Sequence, residues 1–414
     1  MIRIFALAFL SCTFLFGQGL PRIYDPAIQP AQVNFSPGPE FGDEMRMFQG
    51  IPTIERSPKG KLWATWYGGG ATEDPFTYAP LVTSSDNGKT WSKPVLVIDT
   101  PGLTRIWDPC LWLDPKGRLW FFYTQSYAHW DGRGGVWFIR TDNPDADRPK
   151  WTQPQRISDG VMMNKPTVLS TGEWLLPIGF WPTDPNIKSI NTRHKLGISE
   201  AMMKLVTYDF GEKRGWSTVF VTRDQGKTFN PLGHAVCPNV QFNEHMVVER
   251  KDKSLWMLIR TTYGIGESFS TDRGKTWTEG KDTGIRHPVT RFNIRRLNSG
   301  ALLMVRHNPT QDTKLPVHRS RSHLTAYISD DDGKTWTGGL MLDERVAVSY
   351  PDSVQAPDGR IYVIYDRNRH TDREILMASF TEDDIRKGDT ASSTVTLRQL
   401  VNKGAPDVGG FSEH

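Results

Sequence analysis

Asp108, Glu244, Arg291 and Tyr350 occupy matching places in this chain. Each stands nine residues before a tight-turn position, held by Gly117, Lys253, Gly300 and Gly359. Ile51 and Met163 hold the same place before Gly60 and Gly172. Seven residues beyond the six turn positions come Tyr67, Thr124, Gly179, Arg260, His307 and Asp366. Carboxylates and a phenol can pass protons or attack an electrophile, and guanidiniums hold anions in planar, bidentate fashion. Burying such groups is costly unless they are paired or serve a ligand. If the fold brings them together, they read as a polar ligand site.

The elements that would do so are visible as a repeat. "PKGKLW", "PKGRLW", "STGEWLL", "KDKSLWM", "NSGALLM" and "PDGRIYV" are each a turn followed by an apolar strand, spaced by 57, 55, 81, 47 and 59 residues. Six hairpin-led units of this size predict a six-bladed propeller. In that fold the first strand of each blade starts at the mouth of a central channel and the second returns there. Both sets of positions then share one rim. The long spacing contains an apparent insertion, 182–216, in which "GISEAMMKLV" reads as a short helix.

A second repeat lies late in units 1, 3, 4 and 5: "SSDNGKTW", "TRDQGKTF", "STDRGKTW" and "SDDDGKTW". Asp and Ser bond the backbone of their own turn, Gly permits positive φ, and Thr-Trp opens a strand with a large anchor. Asp86, Asp224, Asp272 and Asp331 are therefore expected to be turn staples, not catalysts. Residues 140–151 read as an eroded copy in unit 2.

Composition narrows the class. The 414 residues carry a net charge of only +4, which gives no concentrated basic face for nucleic acid. Fifteen Trp and 37 Gly suit an all-β chain with many tight turns. Residues 1–19 have a basic start, a short apolar run and small residues near Gly19. They read as a cleaved export signal, predicting a secreted or periplasmic protein with no transmembrane segment. Cys110 and Cys237 alone remain after cleavage and make no disulfide framework. No metal-site spacing is present, and no cofactor is called for. Residues 20–404 read as one domain and 405–414 as a flexible tail.

The S-x-D-x-G-x-T-W turns resemble the Asp boxes of the sialidase superfamily, whose fold is the six-bladed β-propeller expected here. "NEHMVVERKDKSLWMLIR" (243–260) is similar to the family segment bearing an activating Glu and a carboxylate-binding Arg. "SYPDSVQAPDGRIYVIYD" (349–366) is similar to the one bearing a nucleophilic Tyr. The resemblance implies Tyr350 as nucleophile, Glu244 as its partner, and Arg260 and Arg291 as two members of an arginine triad. It also shows a departure. The family places its first arginine on the first inner strand, where this chain has Gly50, so the resemblance implies an altered grip on the substrate unless Arg46 or Arg105 substitutes. The family counterpart of Asp366 holds that arginine, which leaves Asp366 without its usual partner.

The chemistry implied is that of a retaining exo-glycosidase acting on a terminal acidic sugar of a glycan. A neutral Tyr activated by Glu avoids the repulsion between a carboxylate nucleophile and a sugar carboxylate. The general acid is expected in the glycine-rich loop "YGGGATEDPFTY", as Glu73 or Asp74. Asp108, Asn164, Lys165, His245 and Asp352 are candidate sugar contacts, and Tyr67, Trp107 and Trp181 candidate stacking surfaces. Two other classes share these features: a propeller-fold lyase or His-dependent glycosidase using Tyr350, His245 or His307, and a non-catalytic sugar-binding propeller.

Overall fold

The computed structural model describes residues 25–127, 132–181, 210–308 and 320–406. The export signal, the helix expected in the insertion and the last eight residues lie outside them. Within the described residues the strands form six antiparallel sheets arranged as a six-bladed propeller. Each blade is a four-stranded meander built from one continuous stretch of chain. The innermost strands are Phe48–Arg56, Thr104–Leu113, Thr167–Val168, Met246–Glu249, Asn293–Arg296 and Val348–Gln355. Gln32–Asn34 pairs with the outer strand of blade 1 as a fifth strand.

The core sits between blades. Trp112, Trp120, Phe122, Trp174 and Leu176 pack blade 2 on blade 3, and Ile54, Trp66, Ile364 and Met377 pack blade 1 on blade 6. Among the described residues no strand is exchanged to close the ring. Instead the N-terminal approach is stitched to the last blade: Gln49 Nε2 donates to the Arg373 carbonyl at 2.6 Å, Arg46 donates to Asn402 Oδ1 at 2.9 Å, and Ala405 N donates to the Arg46 carbonyl at 2.8 Å. Ala405 is thus tied into the fold, although the sequence placed it at the start of the tail. Among the described residues no helix is long and apolar enough to cross a membrane.

The four acidic turns are built alike. In each, the threonine hydroxyl donates to the Asp Oδ2 at 2.6 Å, and the Asp Oδ1 accepts the threonine backbone N–H. The residue after each Asp and the glycine following it both have positive φ. At Gly226 and Gly333 an added Cβ would also strike Trp120 and Trp256 of the preceding blade, at 2.4 and 2.3 Å. These turns therefore wedge one blade against the next, and none of their aspartates lines the pocket at the mouth of the channel.

Candidate active site

Four of the six positions opening the blades share an unusual backbone: φ is 57° at Ile51, 44° at Asp108, 32° at Glu244 and 54° at Tyr350. At Ile51, Asp108 and Tyr350 the strand register also shifts, so a bulge turns the side chain toward the axis. Left-handed backbone is rare for such residues and gathers at functional sites. Together these positions form the floor of a cavity of about 290 Å³ at one end of the channel.

Of the twelve rim positions, seven line this cavity: Ile51, Tyr67, Asp108, Met163, Glu244, Arg260 and Tyr350. Around them stand Glu73, Arg105, Trp107, Trp181, Phe242, Arg321 and Arg369. One wall is apolar, with Trp107 and Trp181 rings 5.5 Å apart and Phe242 edge-on to Trp181. Guanidiniums adjoin it, Arg105 against Trp107 and Arg260 against Phe242.

At the centre, the Tyr350 hydroxyl donates to Glu244 Oε1 at 3.1 Å, and Arg260 Nη1 donates to both the same carboxylate and the Tyr350 oxygen, the latter at 2.9 Å. Burial raises the Tyr350 pKa, Arg260 opposes the shift and Glu244 adds to it, so the phenol is held in its neutral form. Arg260 is buried, which works against its charge, yet Glu244 and Tyr350 raise its pKa. Arg321 lies with its Cζ 5.6 Å from the Tyr350 ring centre and donates to the Val289 carbonyl at 3.2 Å. Its pKa is lowered, by burial first and also by the neighbouring Arg369 and Arg260.

Arg369 packs against Gly50, the position where the family's first-strand arginine was expected. It lies in the turn after the second strand of blade 6, with Cζ 4.3 Å from the Tyr350 ring centre. Asp366 accepts from Arg369 Nε at 3.1 Å, from the Ile51 backbone N–H at 2.7 Å and from Ser349 Oγ at 2.7 Å. Asp366 therefore has an arginine to hold, delivered from its own blade. Arg105 lines the pocket but bonds the Glu73 carbonyl at 2.8 Å beside Trp107, and Arg46 is buried outside the pocket against Trp66.

The two loop acids part company. Glu73 lines the cavity, with Arg369 Nη1 3.4 Å from its Oε1. Asp74 is buried behind it, accepting the Phe76 N–H at 2.9 Å, and a Cβ on Gly70 would sit 2.2 Å from its carboxylate. Asp74 is a turn staple.

Several other expected contacts also lie elsewhere. Arg291 has no left-handed backbone, and its side chain enters the channel below the pocket, reaching Asp352 at 3.4 Å. Asp352 accepts from Thr53 Oγ1 at 2.7 Å and the Ile54 N–H at 3.0 Å, while Lys165 stands 3.3 Å away and pairs with Glu55 at 3.0 Å. His245 Nε2 contacts the Thr218 carbonyl at 2.7 Å; burial pushes its pKa down to about 4, so it is a neutral donor inside blade 3–4 packing. Asn164 bonds the carbonyls of Glu244 and His245. These five are channel or core residues. Asp108 does face the pocket, and burial, then Glu244 and Glu73, push its carboxyl well above the usual range.

Spacing from the hairpin turns does not reach Arg321 and Arg369, because both sit in loops beyond the second strands. The signals available in the sequence are indirect: a vacancy at Gly50, and an Asp366 without a partner three residues before Arg369.

These features define a six-bladed Asp-box propeller with a polar pocket at one mouth of its channel. The chain belongs to the BNR repeat-like domain family, which it matches over residues 52–363. None of the curated proteins matches it. Its fold is that of the sialidase propellers. It is similar to the Hadza microbial sialidase Hz136, at 18% identity and TM-score 0.59, over 83% of this chain and 68% of that one. It is also similar to the intramolecular trans-sialidase from Ruminococcus gnavus, at 14% identity and TM-score 0.59, over 83% and 97%. An α-L-arabinanase from Penicillium chrysogenum shares the fold at 14% identity and TM-score 0.52, over 86% and 99%. At these identities the likeness concerns the fold, and function has to be argued from the pocket.

Proposed function

We propose that the pocket is the active site of an exported glycoside hydrolase that removes a terminal acidic sugar with retention of configuration. The observation that carries this reading is the Tyr350–Glu244–Arg260 cluster, a neutral phenol hydrogen-bonded to a carboxylate and facing guanidiniums. Tyr350 attacks the anomeric carbon as Glu244 takes its proton. Glu73, the loop acid on the cavity wall, protonates the departing oxygen. Water then cleaves the tyrosyl–sugar bond, with Glu73 as base. Guanidiniums beside the phenol, Arg260 and Arg321, attract the sugar's carboxylate, and Asp108 and the Trp107–Trp181 wall contact the rest of the ring. The cavity volume suits one sugar residue better than an extended chain, in keeping with exo action.

A histidine-dependent mechanism finds less support, because His245 and His307 bond backbone carbonyls and neither lines the cavity. The test is a glycan screen with product mass analysis, run beside Tyr350→Phe. Release of an intact acidic monosaccharide by the wild-type protein alone supports the reading. An unsaturated product absorbing in the ultraviolet would make the protein a lyase, and no product from any glycan would favour a binding role.

A further inference from the structure

Gly50 and Arg369 share one volume. A Cβ built on Gly50 would lie 2.6 Å from Arg369 Cδ and 2.8 Å from both its Cγ and its Nε. Gly50 does not adopt the left-handed backbone that marks its neighbour Ile51, so what the glycine supplies here is room. That room is filled by an arginine from the opposite end of the chain, entering where the two termini of the propeller meet.

Once there, Arg369 is braced from behind. Its Nε is held by Asp366, and its Nη2 donates to Ser349 Oγ at 3.0 Å. Its remaining edge, Nη1, faces the cavity with only the long 3.4 Å contact to Glu73 Oε1. Arg321 flanks the same tyrosine ring, and Arg260 bonds its hydroxyl. Arg321 bonds a carbonyl and, among the described residues, pairs with no carboxylate. Arg260 and Arg369 are offset by Glu244 and Asp366, but Arg321 is buried beside both of them, which is costly without a further anion at the site.

We infer that Arg369, seated in the space left by Gly50, is the third member of an anion-binding group with Arg260 and Arg321, so that the substrate carboxylate is gripped from blade 6 and not from the first inner strand. The inference rests on the acidic-sugar reading and specifies how it is achieved. A side chain at position 50 and Arg369 in this conformation exclude each other, so the grip on the anion depends on the pair.

The experiment is calorimetric titration of the full chain with a panel of acidic monosaccharides: N-acetylneuraminic acid, its 2,3-didehydro-2-deoxy form, 3-deoxy-manno-octulosonic acid, glucuronic acid and galacturonic acid. Each is paired with its methyl ester. The readout is the ratio of ester Kd to acid Kd. The wild-type protein should prefer at least one acid on the order of tenfold or more. Arg369→Ala should bring that ratio close to one. Arg369→Lys should lower it severalfold, because an ammonium cannot supply the planar fork. Gly50→Ala, which touches no ligand, should lower it by displacing Arg369. If Arg369→Ala does not fold, the Lys variant decides. A wild-type preference left unchanged in the folded Arg369 variants would overturn the inference while leaving the acidic-sugar reading standing. If the wild-type protein prefers no acid over its ester, the acidic-sugar reading fails and this inference with it.

Discussion

The Tyr350 hydroxyl, on the first strand of blade 6, donates to Glu244 Oε1 at the mouth of blade 4 across 3.1 Å. Two side chains 106 residues apart are thus joined by one hydrogen bond. If they act as one unit, removing either removes the function of both. Tyr350→Phe, Glu244→Gln and the double variant should show similar residual kcat values, because linked catalytic groups are non-additive. Losses that multiply in the double variant would show separate roles.

Glu73 and Asp74 are adjacent in sequence but face different surroundings. Glu73→Gln should slow cleavage of glycosides with poor leaving groups by roughly 10²–10⁴-fold, the range of general acid catalysis. Activated aryl glycosides, which need little protonation, should be largely spared. Asp74→Ala should lower the melting temperature through its lost turn bond and leave the leaving-group dependence as in the wild-type protein. The reverse pattern would exchange their roles.

Asp108 should behave as a protonated acid. Burial, then Glu244 and Glu73, raise its pKa well above the ordinary 3.8. For a raised folded pKa, the folded state binds the proton more tightly than the unfolded chain. The contribution to stability is complete below the unfolded pKa and is lost as pH rises through the folded one. Asp108→Asn should therefore exceed the wild-type protein in stability at neutral pH, and the gap should close below about pH 4. Urea denaturation at several pH values measures this; a gap that does not change with pH would show that Asp108 is ionised.

The acidic turns should carry the opposite dependence. Burial is the largest single influence on Asp272 and opposes ionisation, but bonds from Thr276, Ser270 and Lys275 together lower its pKa to about 2. A depressed folded pKa contributes stability above the unfolded value of 3.8, lost as pH falls through about 2. Asp272→Ala should melt earlier at neutral pH, with each lost turn hydrogen bond worth about 0.5–1.5 kcal/mol. The difference from wild type should fade in acid. Turnover per folded molecule should not change, and a folded but inactive variant would contradict the structural role.

Arg291 and Asp352 form a pair buried in the channel, 1% and 0% exposed. Breaking a buried pair by removing one partner typically costs about 3–5 kcal/mol. Arg291→Met should therefore reduce the denaturation midpoint sharply while leaving KM for the true substrate near its wild-type value. A stable variant with a greatly raised KM would return Arg291 to the substrate site.

Much of this protein is legible along the chain because the relevant physics is local. The Asp-x-Gly-Lys-Thr turns bond their own backbone, so their structural role follows from eight residues. The hairpin turns and the apolar strands after them recur at blade length, so six units can be counted without knowing how they pack. Comparing equivalent positions was enough to bring Glu244, Arg260, Asp108 and Tyr350 to one pocket.

Tertiary structure alone decided the rest. Left-handed residues and bulges at Asp108 and Tyr350 break strict alternation, so proximity in sequence does not predict which way a neighbour points: Asp352, two residues after Tyr350, faces Thr53 and Arg291 in the channel. Blade 5 has no such bulge at Arg291, and that arginine turns away. The guanidiniums that do face the phenol, Arg321 and Arg369, stand in loops, whose reach depends on the packing of other blades. Gly50 shows the limit most plainly. In sequence it is a missing arginine; in the ring it is the space that another blade's arginine fills, because closing the propeller brings residues 50 and 369 into contact.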